Sequence, residues 1–203
     1  MCIRDRYKEA VGLVQHYLAT HWQKPSYDWW EEKKGIHAAT LACIYAGLNA
    51  YKHPEAAAVK AAIDLTNERT DASLLACVLF DAVDQLSFAE ALERIEAELV
   101  SQNGGVHRYK EDEYYGGGEW PILSCMLGLY YLKLGQVSAA QIKLDWVKSQ
   151  INENGWIPEQ SKAHLLYPEK YDYWVEKWGS PANPLIWSHG MFLTLATQHH
   201  LIQ

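Results

Sequence analysis

Apolar residues recur at helical spacing along almost the whole chain, and helices with one apolar face alternate with helices apolar all round. The periodicity predicts eight helices, at approximately 6–20, 35–51, 54–68, 71–84, 87–100, 119–135, 137–150 and 184–200, punctuated by Gly, Pro and Asn. Strand-like alternation is nearly absent. The first, third, fifth and seventh segments carry charges on one side. Tyr7, Val11, Val14 and Leu18 form one stripe, with Lys8 and Glu9 opposite. Phe88, Leu92, Ile95 and Leu99 form another, ringed by Glu90, Glu93, Arg94, Glu96 and Glu98. Such helices bury one face. The other four segments are nearly uncharged: Ile36 to Tyr51, Ala72 to Phe80 and Pro184 to Gln198 hold no acidic or basic residue other than His, and Trp120 to Leu134 holds only Lys133. A helix apolar all round is a buried helix. Outer, inner, outer, inner is the pattern of an all-α fold built as a double ring, an α/α barrel.

The connections alternate as well. Inner-to-outer links are short: Lys52-His53, the stretch from Asp84 to Leu86, and Gln136. Three outer-to-inner links are long, at 21–34, 101–118 and 151–183. Loops beyond about 12 residues are usually functional or disordered, and these are rich in Trp, Tyr, Gly and carboxylates, so function is the better reading. In a double ring they all emerge on one face. No linker or second domain is visible.

Composition narrows the function classes. The chain has 203 residues, 49% hydrophobic and 21% charged, enough for one sizeable core. A net charge of -7 removes the electrostatic case for nucleic acid. No stretch reads as a membrane span. Nine Trp and 13 Tyr, many of them in loops, fit carbohydrate binding. Cys2, Cys43, Cys77 and Cys125 lack CxxC spacing, and the last three lie in apolar runs. They read as buried thiols, not as a zinc site or a disulfide framework, and point to a reducing, cytoplasmic compartment. Met1-Cys2-Ile3-Arg4-Asp5 is what ATG-TGT-ATA-AGA-GAC encodes, which resembles a transposase mosaic-end adaptor. Residues 1–5 are therefore expected to be foreign, with the natural sequence running further upstream.

The chemistry concentrates in the long loops. Tyr27-Asp28-Trp29-Trp30-Glu31-Glu32 sets two indoles beside adjacent carboxylates. An indole face stacks on the apolar face of a sugar ring, and a carboxyl held against apolar rings stays protonated to higher pH. A glycosidic bond needs such a proton donor, and a second carboxylate to go with it. Pro158-Glu159-Gln160 supplies the candidate. Between them lie Gly104 to Tyr109, then Tyr114-Tyr115-Gly116-Gly117-Gly118-Glu119-Trp120, and further on Trp156, Tyr171, Tyr173, Trp174 and Trp178.

The motifs YDWWEEKKGIHAAT, GGVHRYKEDEYYGGGEWP, GWIPEQ and PLIWSHGMFL resemble glycoside hydrolase family 15, the glucoamylase and glucodextranase-like inverting α-glucosidases, in a compact bacterial form. They follow the family's order from Tyr7 onward. The resemblance implies an incomplete (α/α)6 barrel with eight of twelve helices, residues 6–203 being the C-terminal two-thirds of a catalytic domain. It implies Glu31 as general acid and Glu159 as general base. Arg108, Trp30, Glu32, Tyr114, Tyr115, Trp120 and Trp178 would bind substrate, supported by Asp28, Trp29 and Gln160. The substrate would be an α-glucan or an α-glucosyl disaccharide, attacked from its end, with no metal or cofactor. The family's Arg-Asp pair for the terminal glucose comes from a part of the barrel not in this chain. The missing N-terminal segment is thus an implied partner. The 203-residue chain alone is expected to expose apolar faces near Tyr7 to Tyr51 and Pro184 to Ile202, and to be poorly soluble and inactive.

Simpler readings stand beside these. Glu31 and Glu32 could complement the dipole of the next helix. Glu159 could be a solvated loop acid, and Arg108 a salt-bridge partner for Glu111 or Asp112. Gly116 to Gly118 lacks the preceding strand and the Lys-Ser/Thr of a phosphate loop. His37 and His189 read as satisfied core histidines. Rival functions are a trehalose hydrolase, a non-catalytic regulatory barrel, or another α/α-barrel enzyme such as a lyase or a terpene cyclase; the cyclase would need an Asp-rich metal motif that is absent. If the inverting reading holds, the two carboxyl groups stand about 6.5–9.5 Å apart, leaving room for water.

Overall fold

The computed structural model describes residues 7–66 and 69–202; the expectation for residues 1–5 lies outside them. The chain is helical, with two short strands, and divides into two compact units, Met1–Glu68 with Ala76–Phe88, and Arg69–Leu75 with Ala89–Gln203.

The first unit opens with α1 (Lys8–His21) and a minimal antiparallel pair, β1 (Ser26–Tyr27) and β2 (Lys34–Gly35), in which Ser26 faces Gly35 and Tyr27 faces Lys34. Next come α2 (Ala38–Asn49) and α3 (Ala56–Ala61). Uncharged α2 forms the core: Ala38, Ala39, Leu41, Ala42, Tyr45 and Leu48 are buried. Helix α1 buries no residue, and Leu13, Val14 and Tyr17 stand exposed. The expected stripe on α1 is therefore only partly covered, with Tyr7 and Val14 exposed. Helix α3 is shorter than its apolar run suggested. The segment expected as one helix over 71–84 is a 3₁₀ turn, Ala72–Leu74, which belongs to the second unit, followed by α4 (Leu75–Leu79), which from Ala76 on belongs to the first. Asp71 starts it by accepting the Ser73 N–H, and Asp81, at φ 56°, lies just past its end.

The second unit takes up α5 (Gln85–Leu99) from Ala89 on, then a 3₁₀ turn at Tyr114–Gly116, α6 (Pro121–Lys133), α7 (Val137–Ser149), α8 (Pro168–Trp178) and α9 (Ile186–Ile202). Pro121 opens α6 at a position where its missing N–H costs nothing, and Gly135, at φ 72°, follows its end. Every residue of α6 from Pro121 to Leu132 is buried, packed against α7 and α9. Each Leu, Ile or Met so enclosed contributes about 1.5–3 kcal/mol, so α6 is the anchor of this unit. Helix α9 is less enclosed than its uncharged sequence suggested: Ser188, Leu195 and His199 are buried, while Ile186, Trp187 and Leu193 are exposed. Apolar residues are thus exposed on α1 and α9, whereas α2, also within the expected range, is largely buried.

The eight expected helices are all found, and α8 is an addition, inside the segment read as a 151–183 loop. Pro168 at its start, Glu169 in its first turn, Lys177 in its last and Gly179 after it are ordinary helix signals. The loop reading missed them because α8 buries nothing and shows no fully apolar face. No helix among the described residues is long and apolar enough to cross a membrane. Cys77 and Cys125 are buried and Cys43 half-buried; burial pushes the Cys125 thiol up to about 12.

Candidate functional site

In the first unit, the β1–β2 pair carries Asp28 to Lys33 as its tip. Asp28 organises the turn: its amide donates to the Lys33 carbonyl (2.9 Å), its carbonyl accepts the Glu31 amide (3.1 Å), and its Oδ1 accepts the Glu32 amide (2.9 Å). Glu31 is forced to φ 59°, a conformation that non-glycine residues adopt only when their surroundings impose it. Trp29 and Trp30 meet edge to face, with ring centroids 6.5 Å apart, and are half-buried. The Trp29 side chain hydrogen-bonds the Cys43 thiol of α2, tying the tip to the core. Glu31 and Glu32 are exposed. The apolar enclosure expected around Glu31 is therefore absent within this unit: the indoles pack on each other and on Cys43.

In the second unit, Glu159 lies on an extended segment held at nearly every residue. The Ile157 amide donates to His189 Nε2 (3.0 Å), the Leu185 amide donates to the Ile157 carbonyl (2.9 Å), and Ser188 Oγ donates to the Pro158 carbonyl (3.0 Å). The Glu159 amide donates to the Ala182 carbonyl (2.8 Å). The start of α9 thus fixes the backbone that presents Glu159, and His189 is a satisfied structural histidine, as expected. Gln160 is buried; its Oε1 accepts the Gly118 amide (2.9 Å), joining the segment to the glycine-rich loop. Ser161 exchanges backbone hydrogen bonds with Glu119, at 2.7 and 3.2 Å.

The glycine-rich loop is shaped by close approaches of its backbone to neighbouring atoms. Gly117 has φ 69°, and a Cβ there would collide with the Asp112 carbonyl. A Cβ on Gly105 would strike the Glu119 carboxyl, which is fully buried and reaches the ring of His164 at 3.2 Å. Glu119 stands within the loop motif read from the sequence, where it is given no role.

Arg108 is 3% exposed and pairs with Asp112 through two bonds, Nε to Oδ2 at 2.7 Å and Nη2 to Oδ1 at 2.5 Å. Asp112 Oδ1 also accepts the Tyr114 amide, at 2.9 Å. Of the two partners that the sequence left open for Arg108, Asp112 is thus the one engaged. The guanidinium sits among three rings, its carbon 5.3 Å from Tyr109, 5.1 Å from Tyr114 and 5.2 Å from Trp120. A bidentate carboxylate fixes the fork while ring faces stabilise its charge.

Glu159 lies within reach of this cluster. Its side chain hydrogen-bonds Tyr114 and feels the Arg108 charge. Burial pushes the Glu159 carboxyl above the ordinary glutamate range, against the opposing pull of Arg108 and of hydrogen bonds from Ala182 and Tyr114. Burial, with the nearby Glu159 charge, raises the Tyr114 phenol to about 12. Tyr115, at φ 47°, turns its hydroxyl away to donate to the Gly179 carbonyl (2.8 Å). Two strained non-glycine backbones, Glu31 and Tyr115, thus occur at expected site residues.

The second unit therefore brings together Arg108, Tyr114, Trp120, Glu159 and Gln160, with Tyr115 alongside. Trp174, which the sequence reading did not select, completes the cluster: its ring centroid is 5.0 Å from that of Tyr114 and 5.9 Å from that of Tyr115. Trp178, which was selected, is 68% exposed and stands one helical turn beyond it. Among the described residues no group of three or more His, Cys, Asp or Glu gathers in a metal-holding arrangement.

No family model matches the chain. It is 34% identical over 227 residues to an isomaltose glucohydrolase of Kribbella flavida, covering 98% of this chain and 59% of that protein. A solved glycosidase variant in complex with glucose superposes with a TM-score of 0.91 at 33% identity, over 100% of this chain and 62% of the other. A bacterial glucoamylase complexed with acarbose superposes with a TM-score of 0.75 at 18% identity, over 98% of this chain and 39% of the other. The chain thus spans about three-fifths of the length of its nearer relatives. The fold class is all-α, as the helix alternation predicts, with the glucoamylase-like (α/α)6 barrel architecture that the resemblance implies.

Proposed function

We propose that the chain belongs to glycoside hydrolase family 15 and that the whole protein is an exo-acting, inverting α-glucoside hydrolase. The observation that carries this reading is the setting of Glu159: a half-buried carboxyl, its pKa raised, beside a guanidinium locked by Asp112 and a ring cluster suited to a sugar. Likeness to a glucohydrolase and to a glycosidase seen with glucose supports the same chemistry.

Glu31 is the general acid and gives its proton to the glycosidic oxygen. Glu159 is the general base and takes a proton from the water that attacks the anomeric carbon from the opposite face. A base works best when its pKa approaches the working pH, and burial moves Glu159 in that direction. Arg108 limits the movement, keeping the ionised form available. Arg108 donates to sugar hydroxyls, and Trp30, Tyr114 and Trp120 line the glucose. Asp28 and Trp29 hold the turn that carries Glu31, Gln160 holds the Glu159 segment, and Glu32 and Tyr115 border the site. No residue in this scheme calls for a metal or a cofactor.

Isomaltose is the first substrate to test, because the glucohydrolase relative is named for it; maltose and trehalose are the comparisons. The expected result is glucose release from at least one of them by the whole protein, with loss of release in Glu159→Gln. Absence of release from all three, or a fully active Glu159→Gln protein, would overturn the reading.

A further inference from the structure

Two stretches of the second unit that carry site residues are joined side by side. One runs from Gly116 to Trp120, between the rings of Tyr114 and Trp120; the other starts at Glu159 and runs to Tyr167. Hydrogen bonds fasten them at two places. At the first, Glu119 and Ser161 exchange backbone bonds, and Gln160 Oε1 accepts the Gly118 amide beside them. At the second, the Tyr167 amide donates to the Gly116 carbonyl (2.9 Å) and the Leu166 amide to the Gly117 carbonyl (3.4 Å). Residues 162–165 form the loop between these two places. His164 in that loop, its side chain 45% exposed, reaches back to Glu119, with Nδ1 3.2 Å from Oε2. Its Nε2 meets the Asn103 side-chain nitrogen at 2.9 Å. With that amide nitrogen assigned as donor, Nε2 accepts and Nδ1 carries the hydrogen given to Glu119.

None of the backbone bonds needs a carboxyl at position 119. Yet Glu119 is fully buried, and a buried carboxylate costs more than a neutral side chain of its size. Its Oε1 lies against Gly105 and has no hydrogen-bond partner among the described residues. The opposing charge is Lys143 of α7, whose ammonium donates to the Gly104 carbonyl (3.0 Å) and feels the Glu119 charge. We propose that Glu119 and His164 are positioning residues: by closing the 162–165 loop onto the Gly116–Trp120 stretch, they clasp the segment that aims the Glu159 carboxyl at the attacking water. The inference rests on the glycosidase reading of Glu159 and extends it to the support behind that residue. Neither residue touches the sugar. Glu119 acts through Ser161, two positions after Glu159, and through its neighbour Trp120. The start of α9 holds the Glu159 segment from the Ile157 side, and the clasp holds it from the Ser161 side. A misplacement on the order of 1 Å at a reacting group costs about 10²-fold in rate, so the clasp acts on kcat and not on the grip of the sugar in its ground state.

The test is steady-state kinetics of the whole protein on the disaccharide it cleaves best. His164→Ala should lower kcat roughly 10–100-fold and leave KM within about threefold of the parent. His164→Gln, which keeps an N–H donor, should restore most of the lost rate. In the Glu159→Gln background, His164→Ala should lower the residual rate by less than about twofold, because a residue that acts through Glu159 has nothing left to position. Glu119→Leu, unable to accept the bond, should repeat the loss in kcat. If that buried change prevents folding, the exposed His164 decides alone, its folding checked by its thermal midpoint. A His164→Ala protein with the parent's kcat, a loss carried by KM, or the same factor lost again in Glu159→Gln overturns the clasp. A fully active Glu159→Gln protein overturns the Glu159 reading and the clasp with it. The preceding failures, in a protein that Glu159→Gln silences, overturn the clasp alone.

Discussion

The two candidate carboxylates are held in opposite ways. Glu31 sits on a strained turn at the tip of a hairpin of two-residue strands, exposed, with its backbone defined by Asp28. Glu159 sits half-buried on a segment pinned by Ile157, Pro158, Gln160 and Ser161, with Arg108 and Tyr114 at its side chain. One residue is positioned by backbone geometry, the other by burial and charge. Strain and burial are separate ways of holding a functional group, and each leaves a different signature when the group is removed.

The largest effects are expected when each carboxyl is neutralised in turn in the whole protein. Both Glu31→Gln and Glu159→Gln should lower kcat on an unactivated glucoside by roughly 10²–10⁴-fold, the usual span for a general acid or base. Thermally they should diverge. Glu31→Gln should shift stability by no more than about 0.5 kcal/mol, as expected of an exposed side chain. An active Glu31→Gln protein would remove the hairpin from the mechanism.

Next in size is the support beneath Glu159. Asp112→Ala leaves the Arg108 guanidinium buried without its carboxylate, a change that costs about 3–5 kcal/mol. Chemical denaturation should show that loss, and sugar binding should fall with it. Glu31, exposed at the hairpin tip, should show no comparable dependence. A stable Asp112→Ala protein would mean that the pair is not what fixes Arg108.

A smaller effect sharpens the contrast further. The folded-state pKa of Glu159 is raised above its ordinary 4.5, so the fold penalises its ionised form. Between the ordinary and the raised value the native state binds more protons than the unfolded chain. This group's contribution is therefore most favourable below pH 4.5 and is lost as pH rises through the raised value. Glu159→Gln should accordingly melt higher than the parent at neutral pH, with the difference closing toward pH 4.5. Melting curves across that range check the sign; a variant that melts lower throughout would contradict the burial argument.

A last effect lies outside the site. Burial lowers the Lys143 ammonium from 10.5 to about 8, with Glu96 and Glu119 opposing the shift. Its cost to the fold is fully present below pH 8 and is relieved between 8 and 10.5. Lys143→Met should flatten the rise in stability over that interval.

Much of this molecule was legible from residue order, for reasons tied to particular segments. Helices α2 and α6 announced themselves by uncharged runs, because only a buried helix tolerates apolar residues on every side. Helix α9 carried the same signal yet exposes Ile186 and Leu193; an apolar run states what a helix can bury, not what covers it. Helix α8 went unread because its signals sat at its ends, while its faces mix aromatic and charged residues. The candidate site residues were legible as types, clustered in long loops rich in Trp, Tyr and Gly. Their arrangement was not. That Arg108 chooses Asp112 over Glu111, that Trp174 joins the ring cluster while Trp178 stands outside it, and that Glu119 is fully enclosed all depend on loop backbones set by contacts distant in sequence.

In the mechanism proposed above, Glu31 protonates the glycosidic oxygen and Glu159 activates the attacking water. The most direct test is the anomer first released, followed by proton NMR during hydrolysis of the best disaccharide by the whole protein. The claim predicts β-glucose at the earliest time points, with the α-anomer appearing only as the sugar mutarotates. Initial release of α-glucose would mean that the configuration is retained, and would contradict the assignment of Glu159 as a base that activates water.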